Sequence, residues 1–119
     1  MTGSRIFVTR RIPQRGLELL REAGMPVTVG QLHDEKEVSR EQLVEGIRDA
    51  DVMISLLTEK IDRPMLELNP QLRGIANYAV GYNNIDVDAA TQLGIPVSNT
   101  PDVLTDTTAD LNWALLLAV

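Results

Sequence analysis

The chain has 119 residues, 44% of them hydrophobic, and a formal net charge of −6, which is enough for one domain and too few for two. An acidic chain without a basic field does not offset phosphate repulsion, which argues against nucleic acid and anionic membrane surfaces as partners. The absence of cysteine excludes disulfides, thiolate metal sites and thiol nucleophiles, and makes a reducing, cytoplasmic setting the default.

The start, MTGSRIFVTRRIPQ, lacks the apolar core of a signal peptide and leads directly into a first strand, Ile6 to Thr9. Pro13 suits the first turn of a helix, where its missing N–H costs nothing. Leu17, Leu20 and a stop at Gly24 complete that helix. Val27 to Val29 reads as a short second strand. Ser39 and Gln42 have the spacing of a capping box, and Leu43, Val44 and Ile47 form the buried stripe of the next helix. Val52 to Leu57 is a continuous apolar run, as expected of a central parallel strand covered on both faces. Asp62 can cap a short helix carrying Met65, Leu66 and Leu68. Gly74 to Tyr78 reads as strand four. Asp86 caps a helix through Ala89, Ala90 and Leu93 that ends at Gly94, and Pro96 to Ser98 is strand five. This alternation predicts right-handed crossovers and an α/β domain: a flavodoxin-like, five-stranded parallel sheet of order 2-1-3-4-5 with helices on both faces.

Thr105 to Val119 reads as a last helix, whose polar, acidic first turn suits a helix N-terminus. From Trp113 onward, WALLLAV is apolar all round, and a helix apolar on every face needs cover on every face. One small domain covers one face only. The expectation is a helix cut at Val119 that continues into more protein; the alternative is a helix docked into this domain's own core. No apolar run approaches the ~18 residues of a membrane span.

Three segments carry candidate chemistry. NYAVGYNNID, residues 77 to 86, falls at the carboxyl end of strand four, where open α/β sheets bind ligands. Gly81 there lets a ligand approach the backbone closely, and consecutive free amides make an anion-binding concavity. The same residues also fit a plain connection with Asn83 and Asn84 as turn residues and Asp86 as cap. NTPDVLTDTTAD, residues 99 to 110, holds more Thr and Asp than capping needs, although caps alone are an adequate account. SLLTEKID, residues 55 to 62, would set Leu57 and Thr58 at the border of the same crevice. His33 reads as a solvated loop residue, and Glu35, Glu37, Glu41 and Glu45 as a solvated face. There is no GxGxxG, P-loop, HExxH or GxSxG, and nothing that suggests a metal site.

RIFVTRRIP, ANYAVGYNNIDVDAAT and GIPVSNTPDVLTDTTADLNWALLLA, in this order, resemble the D-2-hydroxyacid dehydrogenase family, with the glyoxylate/hydroxypyruvate reductases as the nearest type. The resemblance implies a two-domain enzyme that reduces small 2-oxo acids with NADPH or NADH. Residues 1–119 would be its substrate-binding domain, and the Rossmann-type nucleotide-binding domain would be absent. It implies that Val80 and Gly81 offer their amides to the substrate carboxylate, that Leu57 lines the substrate pocket, and that Thr105 and Thr108 approach the cofactor. The family's catalytic arginine, glutamate and histidine, and its glycine-rich cofactor loop, match nothing here. The fragment is therefore expected to be inactive, to hold no cofactor by itself, to bind 2-oxo acids weakly, and to need the missing domain as partner. A homodimer through the terminal helix is expected as well.

The alternative is a free-standing flavodoxin-like binding or dimerising module. A flavin module needs a hydroxyl-rich phosphate loop after strand one, where this chain has TRRIPQRG. A receiver module needs an Asp at the end of strand three, where this chain has Leu57 and Thr58.

Overall fold

The computed structural model describes residues 3–33 and 37–118. Strands and helices alternate through the chain: β1 (Ile6–Arg10), α1 (Gln14–Glu22), β2 (Val27–Gln31), α2 (Arg40–Arg48), β3 (Val52–Leu56), α3 (Arg63–Leu66), β4 (Gly74–Tyr78), α4 (Val87–Gln92), β5 (Val97–Ser98) and α5 (Thr105–Ala118). All strand pairs are parallel, and the order across the sheet is β2-β1-β3-β4-β5, as the alternation of patterns predicts.

Local chemistry sets the boundaries. Ser39 accepts from the Gln42 amide while the Gln42 side chain accepts from the Ser39 amide, a complete capping box for α2. Asp62 and Asp86 cap α3 and α4 through the amides of Met65 and Ala89. Gly24 (φ +80) and Gly94 (φ +72) follow α1 and α4 in the left-handed conformation that stops a helix.

Alternation along the strands divides the core. Phe7, Met53 and Ile75 face one way, onto Leu43 and Ile47 of α2, Met65 and Leu66 of α3, and Ala89 and Ala90 of α4. Ile6 and Val8 face the other way with Val27, Val29, Val52 and Ile54, onto Leu17 and Leu20 of α1. Helices thus lie on both faces, three on one and, among the described residues, α1 on the other.

Four expectations are corrected. Pro13 is the N-cap of α1, one residue before the first turn, and provides no capping side chain. β3 is half-covered on one side, with Val52, Ile54 and Leu56 only partly buried, because the α1 face is screened by a single helix over β1 and β2. Leu57 lies past the end of that strand. Leu68 lies outside α3 and is exposed, because α3 is a single turn. The chain then bends so that buried Asn69 donates to the Ile47 and Ala50 carbonyls at the end of α2.

α5 is a separate case. No residue from Thr105 to Ala118 is buried; Trp113 is 65% exposed and Leu117 82%. Docking of this helix into the domain's own core is overturned. Val119 and Glu35 lie outside the described residues, while His33, Glu37, Glu41 and Glu45 are exposed as expected. No described helix is long and apolar enough to cross a membrane.

The contact of α2 with the sheet is tight at Gly46. A Cβ there would lie 2.1 Å from Cζ of the buried Phe7 ring. Gly→Ala in an exposed helix gains up to about 1 kcal/mol, but overpacking a core costs about 1–3 kcal/mol, and the clash decides the sign. Gly46→Ala is expected to lower stability by about 1–2 kcal/mol in urea unfolding followed by circular dichroism. A stability gain would mean that Phe7 moves freely.

Candidate functional site

β3, β4 and β5 are neighbours, so the loops after them share one edge of the sheet, the carboxyl edge where parallel α/β sheets bind ligands. The strands prepare that edge. Each inward-facing row runs from apolar to polar: Phe7 then Thr9, Met53 then Ser55, Ile75 then Asn77, all buried. Ser55 and Asn77 are in register on adjacent strands, and the Ser55 hydroxyl donates to Asn77 Oδ1 at 2.9 Å.

This polar layer holds the loops above it. Asn77 Nδ2 donates to the Gly81 carbonyl (2.9 Å) and to Asn84 Oδ1 (3.1 Å). Asn84 Nδ2 donates to the carbonyls of Leu56 (3.0 Å) and Glu59 (2.9 Å), bridging the loops after β4 and β3. The buried Glu59 carboxylate accepts from the Thr9 hydroxyl (2.9 Å), the Leu56 amide (2.7 Å) and the Thr58 hydroxyl (2.8 Å), and Arg10 donates to Thr58. Ile61 and Ile85 add a backbone bridge between the loops. Among the described residues no buried side-chain nitrogen or oxygen lacks a partner.

Farther along the same loop, the Arg40 guanidinium, 2.8 Å from Asp62, holds that carboxyl below the usual carboxylate range, with help from the Met65 amide. The contribution of a lowered carboxylate is complete above its unfolded pKa and is lost as the pH falls through the folded one. At the opposite edge, the Arg5 amide and then its side chain lower Asp51 in the same way.

Above the layer lies the turn Ala79–Val80–Gly81. The Ala79 carbonyl accepts from the Thr100 amide at 2.9 Å, and the Val80 carbonyl accepts from Asn99 Nδ2 at 2.8 Å. The Val80 and Gly81 amides donate to none of the described residues. Leu57 stands over this turn: a Cβ at Gly81 would meet only its Cδ1, at 3.9 Å. Gly81 does not adopt a positive φ, so neither conformation nor packing requires glycine there. What glycine provides is open space in front of the backbone. The structure therefore brings Leu57, Val80 and Gly81 together. Thr105 and Thr108 are exposed on the first turn of α5, with the Thr108 amide donating to the Leu104 carbonyl, and no described hydrogen bond joins them to that cluster. The described residues contain no group of three or more His, Asp or Glu suited to a metal ion.

Residues 6–115 match the family described as D-isomer specific 2-hydroxyacid dehydrogenase, catalytic domain. The chain belongs to this family. A glyoxylate reductase of Thermococcus onnurineus is 47% identical over 114 residues, 96% of this chain and 33% of that protein. The TT0316 protein of Thermus thermophilus superposes with a TM-score of 0.86 at 38% identity, over 96% of this chain and 36% of that one. An NADPH-dependent glyoxylate/hydroxypyruvate reductase of Sinorhizobium meliloti, solved with NADP and malonate, gives a TM-score of 0.69 at 33% identity, over 98% and 34%. The chain thus spans about a third of the length of these relatives.

Sequence reasoning found the three loops but missed the side chains that fix them. The sequence marks Asn84 only as a turn residue, and it does not single out Asn77, Asn99 or Glu59. One signal was available: Asn77 occupies an inward position of a buried strand, where the alternation that places Ile75 calls for an apolar residue. Removing it strands Ser55 and Asn84. Each orphaned buried polar group costs about 1–3 kcal/mol. Asn77→Ala is expected to lower stability by about 2–3 kcal/mol in urea unfolding, and Asn83→Ala, at an exposed position, to stay within about 0.5 kcal/mol. Equal effects at the two positions would remove the network from this account.

Proposed function

We propose that this chain is the substrate-carboxylate half of an NADPH- or NADH-dependent enzyme that reduces small 2-oxo acids such as glyoxylate and hydroxypyruvate. The observation that carries the reading is the Val80–Gly81 turn: two unclaimed amides beside open space, on the binding edge of the sheet, in a chain whose relatives are named glyoxylate reductases. A carboxylate receives strong charge-assisted hydrogen bonds from such amides. Leu57 walls the pocket and excludes water from the carboxylate. When bound, the nicotinamide cofactor supplies the hydride. In this chain only Thr105 and Thr108 would border it, with exposed hydroxyls that suit its rim. The pyrophosphate needs a glycine-rich cradle, and the sequence has none. Reduction of the carbonyl also needs a proton donor and a polarising cation. This chain provides the cradle and one wall, so the nucleotide-binding domain is its necessary partner, and the fragment alone is inactive.

Glyoxylate is expected to bind the isolated chain weakly, with a Kd in the millimolar range, about −4 kcal/mol, and to show no NADPH-dependent turnover until a nucleotide-binding domain is added. Gly81→Ala places a methyl group in front of the amides. It should leave urea stability within about 0.5 kcal/mol and abolish the binding detected by NMR titration. Turnover by the chain alone, or undiminished binding to Gly81→Ala, would refute this reading.

The exposed α5 supports a second expectation, a homodimer of the isolated chain. Trp113, Leu115, Leu116 and Leu117 have no cover within the domain. Burying each such side chain is worth roughly 1.5–3 kcal/mol, against an association cost of roughly 4–15 kcal/mol. A symmetric pair uses the same helix face twice, so two or three side chains per copy reach that cost. Sedimentation across a concentration series should show a dimer in the micromolar range, and replacing Leu116 and Leu117 with Glu should give a monomer. A wild-type monomer at high micromolar concentration would refute the dimer.

A further inference from the structure

We propose that Asn99 is a positioning residue that turns the Gly81 amide to the same side as the Val80 amide, making two separate donors into one carboxylate cradle. The inference rests on the carboxylate reading of this turn and adds the residue that gives the turn its geometry.

In an extended chain successive carbonyls point to opposite sides, and so do successive amides. Here the carbonyls of Ala79 and Val80 are both held by donors from one short segment. Their donors are the Thr100 amide at 2.9 Å and the Asn99 side-chain amide at 2.8 Å, from adjacent residues of the segment after β5. Each peptide unit is planar and trans, so its N–H points opposite its C=O. Anchoring the Ala79 carbonyl aims the Val80 amide away from residues 99 and 100. Anchoring the Val80 carbonyl aims the Gly81 amide the same way. Two consecutive amides on one side form an anion-binding concavity.

The two anchors differ in kind. The Thr100 anchor is main chain, continues the pairing of β4 with β5, and survives any side-chain replacement. The Val80 anchor is a single side-chain bond. It also holds the peptide that precedes a glycine, the residue least able to resist rotation of that peptide. Gly81 leaves room for the substrate and at the same time loosens the peptide that must face it. Asn99 offsets that looseness. The Gly81 carbonyl, held by Asn77 Nδ2 at 2.9 Å, fixes the far side of the glycine, so the Val80–Gly81 peptide is the one movable unit between two fixed ones.

The test uses the 119-residue chain, with Asn99→Ala, which removes the donor, and Asn99→Asp, which keeps the size and presents an oxygen to the Val80 carbonyl. Residual dipolar couplings report the direction of each N–H bond without ligand. In both variants the Gly81 coupling is expected to change and the Val80 coupling to stay. On titration with sodium glyoxylate at constant ionic strength, both cross-peaks should move in the wild type. In the variants the Gly81 response should be lost, with affinity reduced about tenfold, the effect of one hydrogen bond to a charged group. A Gly81 coupling and a glyoxylate affinity both unchanged in the two variants would overturn the role of Asn99. If neither cross-peak moves in the wild type, the carboxylate reading fails, while the couplings still decide whether Asn99 sets the peptide.

Discussion

The upper edge of this sheet depends on the side-chain amide of Asn84. Strands that end at a common edge leave carbonyls there without a ladder partner, and a buried carbonyl must find a donor. Asn84 gives its two N–H bonds to the Leu56 and Glu59 carbonyls of the neighbouring loop and accepts from Asn77 below. One residue thereby joins the connection after β4, the connection after β3 and the polar row of the sheet. With those loops tied, Leu57 and Gly81 keep a fixed separation, and the turn that carries the candidate donors stands on a rigid base. Such a network works only when every member has a partner, as is the case here among the described residues.

The fold was legible from the sequence because its determinants are local. Periodicity named every element, and Ser39, Asp62, Asp86, Gly24 and Gly94 marked ends that the structure keeps. What failed was tertiary. The apolar composition of β3 suggested cover on both faces, but cover depends on where α1 lies, and no feature of β3 encodes that. The site divides the same way. Its loops could be found from strand ends, and their neighbourhood followed from the strand order. The bonds that tie one loop to the next strand or loop include pairs 22 to 28 positions apart, and no local pattern reports those. An asparagine in a turn looks the same whether it faces water or holds two loops together. Asn77, a large polar side chain in an inward row, was the clearest trace of the network.

The chain covers about a third of its relatives' length, yet the bonds around the Val80–Gly81 turn are all made within it. Every bond that shapes the Val80–Gly81 turn comes from residues between 55 and 100. α5 is the exception to this self-sufficiency. It exposes its apolar residues throughout. The five strands and their four packed helices share a core, and α5 adds no buried residue to it.

The position of Trp113 follows from that division and has a practical consequence. It is the only tryptophan in the chain, and it lies on the one helix that contributes nothing to the core. Its indole is largely exposed within the single chain while the sheet is intact. Its fluorescence emission therefore responds to whatever comes to lie against α5 and is nearly blind to the melting of the sheet. In this protein the customary optical signal of unfolding is a signal of docking.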